Sequence, residues 1–299
     1  MPHLRGVVPV LPVPFEPDGA VDYTGLARIA DFAVDHGAAG LAFGYGSEYF
    51  RLTEDERVEA VRAAVAGAKG RVPVLAPCSA ESAVSARHLV RRMKAAGAAI
   101  AVVNPPAVVK PDPARIHGFF AEVAAEGMPL MVQDAPQWSG VKMPISLLAE
   151  LCTIPGVEYL KVEDAPTWVK VRALREALGD QISIFTGHGG QFLWLELVAG
   201  IDGVMPSAGH PQAYAAILSA FWSGRRNEAF DLYSRILPYL IASSATLDEH
   251  IWLQKEILRR QGIIRCSDLR APAEPPDPFT ADIALQIAAG LGLLPGDQQ

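Results

Sequence analysis

The stretch VEYLKVED (residues 157–164) starts as a core strand and ends in charge. Val157 to Leu160 is short, apolar and rich in strand-forming side chains, and Lys161 stands at its C-terminal end. A lysine is rarely buried unless it is paired or chemically used. Lys161 is therefore a solvated strand end, half of an ion pair with Glu163, or a nucleophile.

Seven further runs of the same kind surround it: GVVPVLP (6–12), GLAFG (40–44), PVLAP (73–77), AIAVVN (99–104), LMVQ (130–133), ISIFTG (182–187) and GVMPS (203–207). Each is too short and too apolar for a half-exposed antiparallel sheet, so parallel strands covered on both faces are expected. Between them lie helical patterns near 22–36, 54–68, 82–96, 112–126, 145–153, 166–178, 190–199 and 211–222. Asp22, Thr53 and Pro144 supply helix-start chemistry, and TEDE (53–56) fits a capping box with Glu56 as its third helical residue. Eight strand–helix units without a break in composition predict a (β/α)8 TIM barrel over 1–225. A C-terminal three-helix appendage over 226–299 follows, with helices at 226–241, 245–261 and 279–292 and a Pro-rich strap, SDLRAPAEPPDP, between the last two.

The chain has 299 residues, half of them hydrophobic, and a net charge of -7. No basic surplus or Lys/Arg run is present to grip nucleic acid. No apolar run is long enough to span a membrane, and MPHLRGVVPVLPVPFEPDG lacks the features of a leader, so a cytoplasmic protein is expected. Cys78, Cys152 and Cys266 are far apart and form no metal-binding spacing, which points to reduced thiols. No clear metal ligand set appears.

Catalytic groups of a barrel sit at the C-terminal ends of its strands. That rule collects Tyr45, Gly46, Ser47 and Glu48 after strand 2, Gln133 and Asp134 after strand 5, and Lys161 and Glu163 after strand 6. His188 follows strand 7 and Ser207 follows strand 8. A lysine in an apolar barrel mouth loses hydration, which frees its lone pair for attack on a ketone. The glycine-bearing turn at 44–48 can hold a carboxylate on backbone N–H groups; Glu48 would orient that turn. Gln133 cannot act as a base but can bind a hydroxyl or hold a water. Asp134 before Ala-Pro suits a turn, and Cys78 suits a small core hydrophobe. Trp138 and Trp194 would wall the pocket or fill the core.

The N-terminal VVPVLPVPF, the DGAVD stretch (18–22), the LTEDER stretch (52–57), GRVPVLA (70–76), QDAP (133–136) and Lys161 occur in one order. That combination resembles the dihydrodipicolinate synthase / N-acetylneuraminate lyase family of Schiff-base-forming barrels. The resemblance extends to AFDLYSRILP and Lys255-Glu256 in the appendage. It implies a 2-oxo acid held as an imine on Lys161, a carboxylate site at Tyr45 to Ser47, no cofactor, and a homo-oligomer, tetramer or dimer. The chain departs from the synthases at several places. Gln133 stands where a tyrosine is usual, Trp138 where the synthases place an arginine, and Gly46 where a hydroxyl residue is usual. Pro106 and Ala107 replace the tyrosine of the strand-4 loop. LMVQDAP, YLKVED and EAFDLYSRILPYL resemble instead the 2-keto-3-deoxyarabonate dehydratase-like branch, although GHGG (187–190) fits that branch poorly.

The resemblance implies a lyase that dehydrates a 2-keto-3-deoxy sugar acid through Lys161. Gln133, Ser47 and Glu163 are the other expected catalytic residues, and Tyr45, Gly46, Asp134, His188 and Ser207 the substrate-binding ones. An aldolase on the same lysine and a non-catalytic 2-oxo acid-binding protein are the alternatives.

Overall fold

In a computed structural model that describes residues 4–274 and 276–294, the strand–helix units alternate as follows. They are β1 (Gly6–Val7), α1 (Tyr23–Asp35), β2 (Leu41–Ala42), α2 (Glu54–Ala68), β3 (Val74–Pro77), α3 (Ala83–Ala95), β4 (Ile100–Val103), α4 (Pro113–Ala124) and β5 (Leu130–Asp134). Two short helices, α5 (Pro136–Ser139) and α6 (Ile145–Leu151), lead to β6 (Val157–Val162). Then come α7 (Thr167–Leu178), β7 (Ser183–Thr186), α8 (Leu193–Ala199), β8 (Gly203–Val204) and α9 (Pro211–Trp222). All eight strands are parallel, in the order β1-β8-β7-β6-β5-β4-β3-β2. Parallel bridges from Val7 to Ala38 and from Val10 to Ala42 join β1 to the β2 side, closing the sheet into a barrel.

The pleat of the strands divides the core into two layers. Leu75, Ile100, Val102, Met131, Tyr159, Phe185 and Met205 pack together inside the barrel. Their neighbours Val132, Leu160, Val162 and Ile184 face outward and join the larger core under the helices. This alternation is the period-2 geometry of a strand applied to a surface buried on both sides. The inner layer is crowded at Gly203, where an added Cβ would lie 2.2 Å from the Gly6 carbonyl oxygen and 2.3 Å from the Phe185 ring. Only glycine lets β8 approach β1 across that ring.

Helix starts follow the expected chemistry. The Thr53 hydroxyl accepts from the Glu56 N–H at 3.2 Å, and the Glu56 carboxylate accepts from the Thr53 N–H at 2.8 Å. Asp22 caps α1 by accepting from the Gly25 N–H at 2.6 Å. Helix α5 is the element the sequence reading lacked: Pro136 starts it and Gly140, at φ 66°, ends it.

The appendage contributes α10 (Arg226–Ala242), α11 (Leu247–Arg260) and α12 (Pro278–Gly290). Ala229, Tyr233, Ile236, Tyr239 and Leu240 of α10 belong to the same hydrophobic cluster as the outer layer of the barrel. The expected segments 1–225 and 226–299 each include residues outside the described ones. Helix α11 runs to the mouth of the barrel, where a buried ion pair fixes it. Lys255 donates to the Glu48 carboxylate at 2.8 Å, and both side chains are fully buried. The strap closes over the pair: the Arg270 N–H donates to Glu48 at 2.6 Å, and the Arg270 guanidinium binds Glu56. The Lys255 ammonium and the Arg270 guanidinium both lie on the Phe15 ring, at 4.4 and 4.6 Å from its centroid.

Truncating one partner of a buried ion pair leaves the other charge unpaired and out of water. Lys255→Met is therefore expected to cost about 3 kcal/mol or more of unfolding free energy. Arg62→Ala, which breaks an ion pair with Glu59 between half-exposed side chains, is expected to cost less than about 1 kcal/mol. Urea titration of the two variants would check the contrast, and equal small losses would contradict the role given to Lys255.

Candidate active site

Strand β6 places Lys161 one pleat beyond the inner-layer residue Tyr159, so its side chain points into the barrel mouth. Its ladder partner on β5 is Gln133, which lies one pleat beyond Met131. Glu163 follows two residues after Lys161 and therefore falls on the same side. Its backbone N–H donates to the Asp134 carbonyl at 2.8 Å, extending the ladder past the strand end. Lys161, Gln133 and Glu163 are each less than a tenth exposed.

The three side chains form one polar unit. The Gln133 amide donates to a Glu163 carboxylate oxygen at 2.8 Å, and the Lys161 ammonium lies 3.4 Å from that same oxygen. The His188 Nε2–H donates to the Glu163 carbonyl at 2.9 Å, because a carbonyl can only accept. Burial alone would push the Glu163 carboxyl up, but Lys161, His188 and the Gln133 amide outweigh it and hold it below the usual carboxylate range. The ion pair weighed for Lys161 is thus present, and it places a base beside the amine.

The turn after β7 makes room for this carboxylate. A Cβ on Gly187 would lie 1.9 Å from the other Glu163 oxygen. The next three residues, His188, Gly189 and Gly190, all have positive φ. That sharp reversal brings the His188 ring back over the strand 6 end.

A cavity of about 340 Å³ opens above the unit. Lys161, Glu163, His188, Tyr45 and Gly46 line it. Neither the Tyr45 nor the Gly46 backbone N–H has an acceptor among the described residues. Trp138 stacks on Tyr45 with ring centroids 4.9 Å apart and forms part of the wall. Among the described residues no group of three or more His, Cys, Asp or Glu side chains is placed to hold a metal ion. No described helix is long and apolar enough to cross a membrane.

Other expected site residues lie elsewhere. Asp134 faces outward from β5 and pairs with Lys170 of α7 at 2.6 Å; burial pushes its carboxyl up to about 6 against that lysine. The Ser47 hydroxyl is buried and accepts from the Gly44 N–H at 3.1 Å, bracing the strand-2 turn from within. Ser207 is buried and is not among the lining residues. Glu48 orients the turn through Lys255 and Arg270, as expected of it. Cys78 lies in the outer core, where burial pushes its thiol up. Trp194 packs edge-on against Phe221 and Phe230, away from the cavity.

The appendage supplies cavity residues that the sequence reading missed. Ser243, Ser244, Thr246 and His250, from the end of α10 to the start of α11, line the outer end together with Gln191. Only their position in an amphipathic helix pair marks them in the sequence, and that pattern says nothing about which barrel loop the pair covers.

The profile of the Dihydrodipicolinate synthetase family matches residues 3–284. The L-2-keto-3-deoxyarabonate dehydratase of Azospirillum brasilense is 33% identical over 297 residues, covering 97% of this chain and 95% of its own. A 4-hydroxy-tetrahydrodipicolinate synthase of Xanthomonas axonopodis pv. citri is 29% identical over 264 residues, covering 87% and 86%. Among solved structures, the prophage protein YagE from E. coli K12, crystallised with pyruvate, superposes with a TM-score of 0.88 at 24% identity, over 97% of this chain and 99% of its own. That likeness carries the fold.

The clearance at Gly187 gives a direct test of the site geometry. Gly187→Ala is expected to force the Glu163 carboxylate away from Gln133 and to cost about 1–3 kcal/mol of stability through overpacking. A crystal structure of the variant and its urea midpoint would check both; an unmoved Glu163 with unchanged stability would contradict the crowding.

Proposed function

The chain belongs to the Dihydrodipicolinate synthetase family, and from that premise we propose that it is a Schiff-base lyase that dehydrates a 2-keto-3-deoxy sugar acid. The observation that carries the reading is the Lys161–Glu163–Gln133 unit. A buried amine has a carboxylate 3.4 Å away, and that carboxylate is held by an amide on the neighbouring strand. The likeness to the Azospirillum dehydratase over nearly the whole chain supports the same choice.

The substrate carboxylate sits on the free N–H groups of Tyr45 and Gly46. Glu163 takes a proton from the Lys161 ammonium, and the neutral amine attacks the C2 ketone. Glu163 returns that proton to the carbinolamine hydroxyl, which leaves as water, giving an iminium whose positive charge faces the restored Glu163 carboxylate. The iminium acidifies C3; the Glu163 carboxylate removes a C3 proton and an enamine forms. The enamine electrons expel the C4 hydroxyl, which takes the proton from Glu163 and leaves as water. Hydrolysis of the unsaturated iminium restores Lys161 and frees a 2-oxo acid. Imine formation and hydrolysis cancel in water, so the net change is loss of one water from the substrate. One carboxylate serves both proton transfers, so no tyrosine is needed on β5. Gln133 is a positioning residue that holds Glu163. Ser47 braces the turn, and His188 closes the wall beside the imine. The covalent imine is the electron sink, and no further cofactor enters the cycle. The working unit is a homo-oligomer, as the family resemblance implies, in the cytoplasm.

Two variants divide the cycle. Lys161→Arg is expected to abolish both turnover and borohydride trapping of pyruvate. Glu163→Gln is expected to slow trapping without abolishing it, since the lysine can lose its proton to water, while kcat falls by roughly 10²- to 10⁴-fold. Intact-mass spectrometry after borohydride reads the first outcome. The mass of the adduct with a 2-keto-3-deoxypentonate distinguishes loss of water from carbon–carbon cleavage. Retained turnover in Lys161→Arg would sink the mechanism.

The base must be ionised to act. Its carboxyl is held below its ordinary value of 4.5, so protonation removes activity only as pH falls through that lower value. The acid limb of kcat/KM is therefore expected below pH 4.5, which a pH–rate profile checks. An acid limb near neutrality would assign the base elsewhere.

A further inference from the structure

The outer end of the cavity offers a side-chain acceptor that has no partner among the described residues. The His250 Nδ1 lies 3.0 Å from the Ser243 carbonyl, and since a carbonyl only accepts, Nδ1 carries the hydrogen. In the neutral ring this leaves Nε2 as an acceptor, and Nε2 has no hydrogen-bond partner among the described residues. The two ring carbons that flank Nε2 locate it. Cε1 lies 3.5 Å from where a Cβ on Gly189 would stand, and Cδ2 lies 3.9 Å from the corresponding point at Gly46. The acceptor edge of the ring thus lies between the turns after β2 and β7, over the cavity that Lys161 also lines.

The neighbouring hydroxyls are already used. Ser243 donates to the Leu240 carbonyl, Ser244 to the Ile241 carbonyl, and Thr246 caps α11 by accepting from the Glu249 N–H. Burial holds the His250 imidazole below its ordinary range, so the ring stays neutral where the enzyme works. Among the described lining residues Lys161 is the one lysine and there is no arginine. An anionic tail at the outer end would therefore lose its hydration without gaining a counter-charge.

We propose that His250 Nε2 accepts a hydrogen bond from a substrate hydroxyl beyond C4, and so selects 2-oxo-3-deoxy acids with a neutral, hydroxylated tail over those ending in a methyl, carboxylate or phosphate group. The inference rests on the Lys161 imine reading and adds a specificity-determining residue from the appendage to it. A site built to bond a hydroxyl discriminates strongly against an analogue that lacks it, because the polar group that the bound substrate covers is then left unpaired.

The test compares a 2-keto-3-deoxypentonate with 4-hydroxy-2-oxopentanoate, which has the same eliminated hydroxyl but a methyl group beyond it. In the wild type, kcat/KM is expected to favour the pentonate. In His250→Phe, kcat/KM for the pentonate is expected to fall ~10- to 100-fold while that for the methyl analogue changes less than about threefold. His250→Gln, which keeps an acceptor oxygen, is expected to recover part of the preference and carries the test should the phenylalanine variant fail to fold. Equal losses on both substrates would make His250 merely structural and overturn the inference, as would no loss on either. Borohydride trapping of pyruvate reads the inner half of the site separately. Wild-type trapping with no His250-dependent preference sinks this inference alone, whereas failure to trap in the wild type sinks the Lys161 reading and this inference with it.

Discussion

A lysine and a glutamate two residues apart, on one side of one strand and 3.4 Å from each other, are the constraint around which this barrel mouth is arranged. Neither charge could be buried alone at tolerable cost. Once paired, they fix their surroundings. The strand-5 position must offer a donor that does not compete for the lysine, and the Gln133 amide does so. The residue after β7 must have no side chain, because the second carboxylate oxygen occupies that space, and Gly187 supplies the gap. The reversal that follows puts His188 over the carbonyl of the same glutamate. Strand β5 and the turn after β7 thus both answer to one ion pair on β6.

A second buried pair performs a similar task at the edge of the fold. Glu48 has a left-handed backbone at the strand-2 turn, and its carboxylate is saturated by Lys255, Arg51 and the Arg270 N–H. Two of these donors come from beyond the barrel, so the turn that leaves the Tyr45 and Gly46 N–H groups free is held from outside by α11 and the strap. The same helix carries His250 over the cavity. Stability and substrate selection are therefore coupled in α11: a change that loosens its docking also moves the outer end of the site.

Much of this was legible in the sequence because it is local. The TEDE capping box, the start of α1 at Asp22 and the eight apolar runs follow from spacing and side-chain type within a few residues. The rule that a barrel's catalytic groups stand at the C-terminal ends of its strands then placed Lys161 at the mouth once the runs were read as parallel strands. The parts that escaped depend on contacts distant in sequence. Asp134 and Gln133 are adjacent, yet the pleat sends one to Lys170 outside the barrel and the other to Glu163 inside. Composition cannot separate them without the register. Ser47 is a candidate by its place near the barrel mouth, but its oxygen is turned back on the Gly44 N–H. His250 lies in a helix whose apolar pattern reveals a buried face and not the loop it covers. Lys255 was noticed as part of a resemblance, but its burial against a residue 207 positions away has no local signature.

The glutamine at position 133 sets the chemistry apart from that of a tyrosine-bearing site. A tyrosine on strand 5 can itself carry a proton to and from the substrate; an amide cannot. In the proposed cycle the group that moves protons is Glu163, and the amide holds it still. That arrangement suits an elimination, in which one base near C3 can take a proton and return it to a hydroxyl leaving from the next carbon. Carbon–carbon cleavage requires deprotonation of the C4 hydroxyl, for which Asp134, facing outward, and Glu48, saturated, are not placed; among the described lining residues that leaves the second ring nitrogens of His188 and His250 as the candidate groups for that step. The His188 Nε2 is engaged with the Glu163 carbonyl, and the His250 Nδ1 with the Ser243 carbonyl. With one carboxylate inside and a neutral acceptor at the rim, the cavity accommodates the proposed substrate, whose reacting end is a 2-oxo acid and whose far end is uncharged.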